Sequence, residues 1–115
     1  MAIAGIYNFT LDQGSTWTLQ IVYEDSTGAP VDLTGYTAEM QIRRKFDSDT
    51  AVLTLSTSNG GITITGPTGT LNLIATDEQA DIDPGLYVYD LELNIGGTRT
   101  RLIQGTVTVS GEVTR

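Results

Sequence analysis

The sequence predicts an all-β fold: an antiparallel two-sheet sandwich of seven to eight strands with at most one short helical turn, filling residues 1–115 as a single domain. Three observations carry this. Apolar and polar residues alternate with period two in several segments, and none sustains the 3.6-residue spacing of an amphipathic helix. Thr is the commonest residue, at 19, and suits half-buried strands; the 13 Gly suit the turns between them. Turn signals recur every 8–14 residues or so, the spacing of sandwiches and barrels. Each alternating strand has an apolar face that needs a cover, and two sheets packed face to face supply it.

The elements follow in order. Ile6 to Thr10 is a short strand, and Asp12-Gln13-Gly14 bends the chain. Thr16 to Tyr23 is the clearest strand, with Trp17, Leu19, Ile21 and Tyr23 on one face and Thr16, Thr18, Gln20 and Val22 on the other. Asp25 to Pro30 is a turn by composition, and Val31-Asp32-Leu33 is a short extended piece. Tyr36, Ala38, Met40 and Ile42 then alternate with Thr37, Glu39, Gln41 and Arg43. After a polar loop, Val52 to Thr57 reads as a strand, Asn59-Gly60-Gly61 as a hairpin turn, and Ile62 to Thr65 as the returning strand. Gly66-Pro67-Thr68-Gly69 turns the chain again before a strand from Thr70 to Ala75. Thr76 to Ala80 is the one helical signal: Thr76 can cap, Asp77 and Glu78 suit a first turn, and Pro84-Gly85 stops it early. Leu86 to Asn94 puts Tyr87, Tyr89, Leu91 and Leu93 on its inner face. Gly96-Gly97 then turns it into the strand from Arg99 to Ser110, with Ile103, Val107 and Val109 opposite Leu102, Gln104, Thr106 and Thr108.

Composition excludes several function classes. The chain has no His and no Cys. That removes disulfides, thiolate catalysis, zinc fingers, iron–sulfur ligation and Ser-His-Asp chemistry. It also removes the side chain best matched to proton transfer near neutral pH. The formal net charge of −8, from 14 acids and 6 bases, opposes binding to nucleic acid, whose phosphates attract Lys and Arg. No segment approaches the roughly 20 apolar residues of a membrane span. The segment Met1 to Gly5 has neither the basic nor the apolar region of a signal peptide. A non-enzymatic protein with no cofactor, no metal, no nucleic-acid partner and no membrane partner is expected.

Few residue groups could carry chemistry. Asp77, Glu78, Asp81 and Asp83 supply calcium-type oxygens within seven residues, but without the spacing of an EF-hand, and they read as a solvated loop. Asp90 and Glu92 share one strand face and could serve as paired carboxylates; they could equally pair with Arg99 or Arg101 across the hairpin. Asn59-Gly60-Gly61 lacks the Lys and the helix of a phosphate loop. The Arg43-Arg44-Lys45-Phe46 run is the most informative surface feature. It reads either as a docking patch for an acidic partner, with Phe46 as apolar anchor, or as a strand end with Phe46 capping the core. The apolar, uncharged N-terminal segment, with Ile3 and Ile6, is the second docking candidate; otherwise it is an extra edge strand.

Trp17 on an early strand and Tyr87-x-Tyr89 on a late one point to an immunoglobulin-like arrangement without its disulfide. A wider resemblance rests on four segments in order. They are Ile6 to Thr16 (IYNFTLDQGST), Asp32 to Arg43 (DLTGYTAEMQIR), Asn59 to Ile62 (NGGI) and Gly85 to Leu93 (GLYVYDLEL), followed by the ending Gly105 to Arg115. Together they resemble small β-sandwich virion proteins of tailed bacteriophages, similar to the immunoglobulin-like N-terminal domain of phage baseplate upper proteins. The Asp-Leu-Thr-Gly-Tyr-Thr-Ala stretch is the most specific part. The resemblance implies a structural virion protein, made in the bacterial host cytoplasm, that docks to other virion proteins in many copies as a tail or baseplate adaptor. Capsid decoration and a carbohydrate- or host-surface-binding module are the alternatives. It implies no active site.

Overall fold

A computed structural model describes residues 5–111. Nine strand segments form two sheets: β1 (Gly5–Ile6), β2 (Phe9–Asp12), β3 (Trp17–Val22), β4 (Thr37–Arg43), β5 (Leu53–Ser56), β6 (Ile62–Thr65), β7 (Thr70–Ala75), β8 (Gly85–Ile95) and β9 (Thr98–Ser110). The larger sheet runs β1-β9-β8-β4-β5, with β2 also on β9; the smaller runs β3-β7-β6. The fold is all-β, as the alternation requires. Inward residues of both sheets make one core, among them Leu11, Met40, Ile42, Leu55, Leu71, Leu73, Tyr87, Leu91 and Val107.

Most strand boundaries fall within a residue or two of the sequence reading, and the differences have physical causes. The first strand is split in two by Tyr7-Asn8, and both halves run parallel to β9, so the larger sheet is mixed rather than purely antiparallel. At the break, Tyr7 N–H donates to the Gln104 carbonyl (2.9 Å), while the Asn8 side chain takes the Thr106 N–H (2.9 Å). A side-chain oxygen thus replaces one rung of the ladder. Val31 to Leu33 forms no strand, although Pro30 bridges Glu24 and Leu33 is buried.

Asn59-Gly60-Gly61 does not close a hairpin. β5 pairs with β4 and β6 with β7, so this turn carries the chain from one sheet to the other. Asn59 Oδ1 accepts the Ser56 and Gly61 N–H groups and its Nδ2 donates to Thr54, a local closure that composition does not distinguish from a hairpin turn. Thr76 to Ala80 is a single turn and not a helix. Thr76 Oγ1 accepts Gln79 N–H, Gln79 Oε1 accepts Thr76 N–H, and one Ala80 N–H to Thr76 carbonyl bond follows. That reciprocal cap is a helix start with nothing to propagate it. The one helical element among the described residues is a 3-10 turn at Gly66–Thr68, inside the β6–β7 hairpin.

Leu102 points inward and is buried, opposite to the expectation. A bulge between Leu91 and Glu92 sets both Leu102 and Ile103 against Leu91, which reverses the face of the strand beyond it. The Asp32 to Tyr36 stretch behaves as a fold determinant. Asp32 Oδ1 accepts both the N–H and the hydroxyl of Thr34 (2.9 and 2.6 Å), and Tyr36 N–H closes the turn on the Leu33 carbonyl (3.0 Å). Gly35 sits at φ +86°, a conformation that side chains with a Cβ rarely take. Tyr36 leaves this turn packed against the core at the head of β4. Among the described residues no helix is long and apolar enough to cross a membrane.

Candidate functional site

The outer face of the larger sheet gathers two of the sequence-selected docking residues. Phe46 leaves the end of β4 and is 83% exposed, so it does not cap the core. Ile6 on β1 is 78% exposed. They come together across β9 and β8 as walls of one depression whose floor includes Val88, Gln104, Gly105 and Thr106. Leu86, 65% exposed, stands two residues before Val88 on the same face of β8 and extends the apolar surface. Ile3, the other candidate at this end, lies outside the described residues.

Polar groups rim the patch. Next to Phe46, a second depression holds Gln41, Arg43, Asp90, Arg101 and Gln104. Arg101 pairs with Asp90 at 3.5 Å, and farther along the hairpin Arg99 reaches Glu92 at 4.0 Å. The carboxylates considered for catalysis therefore lie in cross-hairpin ion pairs on an open sheet face. The acids of 77–83 do not converge either: among the described residues no group of three or more carboxylates is placed to hold a metal ion.

The three bases of the Arg43-Arg44-Lys45 run play different parts. Arg43 is tied into its own loop, donating to the Ser48 carbonyl (2.7 Å) and to Gln41 Oε1 (2.8 Å). Arg44 leans over the Tyr87 ring, 5.1 Å from its centroid, and lies 3.7 Å from Asp83. Lys45 is exposed; its backbone exchanges hydrogen bonds with Ser48, which fixes the turn that presents Phe46. The run is thus a presenting loop whose arginines are engaged within the chain, rather than a uniform basic patch. Leu86 and Val88, absent from the sequence-derived candidates, complete the patch; both fall on the face of β8 that alternation assigns to solvent, where polar residues are expected.

Four of the aromatic residues, Tyr7, Phe9, Trp17 and Tyr89, form one cluster. Phe9 stacks on Trp17 (centroids 4.7 Å apart) and meets Tyr89 edge-on (4.9 Å), joining the first strand to both sheets. Tyr89 O–H donates to the Tyr7 carbonyl, and burial, with the nearby Tyr7 phenol second, pushes its pKa above the usual tyrosine range. Tyr87 O–H donates to the Asp83 carbonyl four residues upstream (2.6 Å).

No protein-family model matches the chain, and no curated protein matches it significantly. Solved structures do share its fold. It is similar to a part of the endo-beta-1,4-mannanase from Thermotoga petrophila, with a TM-score of 0.55 and 13% identity over 91% of this chain. The match spans only 18% of that enzyme's length. CopC from Methylosinus trichosporium OB3b matches with a TM-score of 0.50 and 13% identity, over 92% of this chain and 88% of its own. At this identity the likeness is one of fold alone.

Proposed function

We propose that this chain is a non-enzymatic docking module of the immunoglobulin kind, built into the virion of a tailed bacteriophage as a tail or baseplate adaptor. The strand order supports the fold assignment. Lettered B, C, C′, D, E, F and G, strands β3 to β9 give sheets B-E-D and C′-C-F-G, with the first strand added to G. The Tyr87 to Asp83 hydrogen bond at the start of F has the form of a tyrosine corner. Trp17 departs from the pattern: it lies on B, while C contributes Met40 to the core.

The observation that carries docking is the apolar patch of Phe46, Ile6, Leu86 and Val88 with its polar rim. Single exposed apolar side chains are ordinary, whereas contiguous ones on a flat sheet face mark interaction surfaces. An exposed aromatic anchor such as Phe46 is the kind of side chain on which binding energy concentrates. The virion as its setting rests on the sequence resemblance. The test is incorporation. Phe46→Asp changes a side chain with no described role in folding, whereas reversing Arg43 would break the loop's own hydrogen bonds. Purified particles should contain the wild-type chain in multiple copies and little or none of the Phe46→Asp chain. Particles lacking the wild-type chain would refute the virion reading, and equal incorporation of the variant would refute the patch.

A further inference from the structure

The two sheets differ in charge. Every charged residue that lies in a described strand belongs to the larger sheet: Asp12, Glu39, Arg43, Asp90, Glu92, Arg99 and Arg101. Strands β3, β6 and β7 carry none, although the chain holds 20 charged residues (14 acids and 6 bases). Among the described residues the longer free edge of this neutral sheet is β3, six residues long and without Pro or charge. Edge strands are normally protected by Lys, Pro, bulges or shortness, and β3 has none of these. The other edges differ: β5 and β6 have four residues each, and the first strand is broken at Tyr7-Asn8.

The phase of the open ladder follows from β7. Tyr23 N–H bonds the Gly69 carbonyl, so in the antiparallel pattern Leu19 and Ile21 face β7, while Thr18, Gln20 and Val22 direct their N–H and C=O groups to the free edge. Those three side chains are exposed. Beside the same edge lies a mostly apolar hollow lined by Tyr7, Leu19, Gln20, Ile21 and Ile103.

We propose that β3 pairs antiparallel with β3 of a second copy about a two-fold axis at Gln20, joining the small sheets as β6-β7-β3-β3-β7-β6. This register is self-complementary. Gln20 meets Gln20, Thr18 meets Val22, and all three open positions find partners. Behind them Leu19 comes opposite Ile21 of the second copy, over the apolar hollow. Charge selects a second copy as the occupant. Like chains of net −8 repel one another on average, and an approach through the uncharged β3 edge brings no charged strand residue near another. The inference is independent of the docking patch, which lies on the other sheet.

Sedimentation equilibrium on the full chain, from micromolar to several hundred micromolar, tests it. Wild type should show a concentration-dependent species of twice the 12.3 kDa chain mass. Gln20→Lys, which places like charges on the axis, should sediment as monomer with unchanged circular dichroism. Thr18→Lys with Val22→Lys, both at exposed positions, should do the same and covers any misfolding of the first variant. Amide exchange at Thr18, Gln20 and Val22 should slow as concentration rises. A wild type monomeric throughout, a dimer that survives both Lys variants, or a dimer lost instead by Phe46→Asp would overturn the proposal.

Discussion

Replacing Gly105 with Ala tests how the first strand is held, and with it one wall of the apolar patch. Gly105 lies in β9 opposite Tyr89, and a Cβ there would overlap the Tyr7 carbonyl and sit 2.6 Å from Asn8 Oδ1. Both obstacles belong to a segment fixed by three hydrogen bonds: Tyr7 N–H to Gln104, Tyr89 O–H to Tyr7, and Thr106 N–H to Asn8. The new methyl can enter only if that segment moves away. At about 1 kcal/mol net per hydrogen bond, losing all three costs about 3 kcal/mol. At about 4 °C per kcal/mol for a domain of this size, Tm should fall by about 12 °C. Gly60→Ala is the control. Gly60 has a left-handed φ of +82° but open space around its Cβ, so its cost is the conformational one alone, about 1–2 kcal/mol. Thermal melts followed by circular dichroism, with hydrogen exchange at Thr106, measure both. The reasoning fails if Gly105→Ala melts within about 2 °C of wild type with the Thr106 amide still protected.

Three further outcomes follow. Tyr87→Phe removes the hydrogen bond to Asp83 but keeps the ring under Arg44, so it should cost about 1 kcal/mol, read as a Tm fall of about 4 °C. Stability should fall at both ends of the pH scale. The Asp25 and Asp32 carboxylates are held below their ordinary pKa by hydrogen bonds led by the Thr27 and Thr34 hydroxyls, so what they contribute is present above about pH 4 and is lost as pH drops through their lowered values. Tyr89 has the opposite sign: its pKa is raised, so its contribution is complete below about pH 10 and is lost above it. A chain whose Tm is flat from pH 2 to pH 5 would contradict the first half. Ultraviolet titration showing Tyr89 ionising in the native chain at the ordinary tyrosine value would contradict the second. Finally, Arg101→Ala breaks an ion pair whose side chains are 52% and 36% exposed, and should move stability by less than about 1 kcal/mol.

What the sequence made legible was set by period. β3, β4, β7 and β8 bury one face and solvate the other, so residues such as Met40 and Leu91 could be placed by counting in twos. Where that count is interrupted, the reading failed. At Leu102 a bulge adds a residue, and nothing in Arg101-Leu102-Ile103 signals it. At Asn59-Gly60-Gly61 the turn chemistry is correct, but which strands it joins depends on how each flanking strand pairs elsewhere, here Met40 for Leu55 and Leu71 for Ile64. The site was partly legible for the same reason. Composition points to Phe46 and Ile6 but not to Leu86 and Val88, because an outward apolar residue acquires meaning only when its neighbours across the sheet are known.

The division of charge between the sheets gives the two proposals a joint consequence. A dimer formed through the neutral edge would carry two Phe46 patches on separate larger sheets. A target displaying repeated sites, as a symmetric assembly does, would then be held at two points, and the second contact would be intramolecular. Gln20→Lys should therefore weaken attachment to a multivalent target while leaving the affinity of a single patch for an isolated partner subunit unchanged. Phe46→Asp should abolish both and leave the dimer intact. If Gln20→Lys lowered single-site affinity as much as multivalent attachment, the two surfaces would be one coupled site, and the separation of roles between the sheets would be wrong.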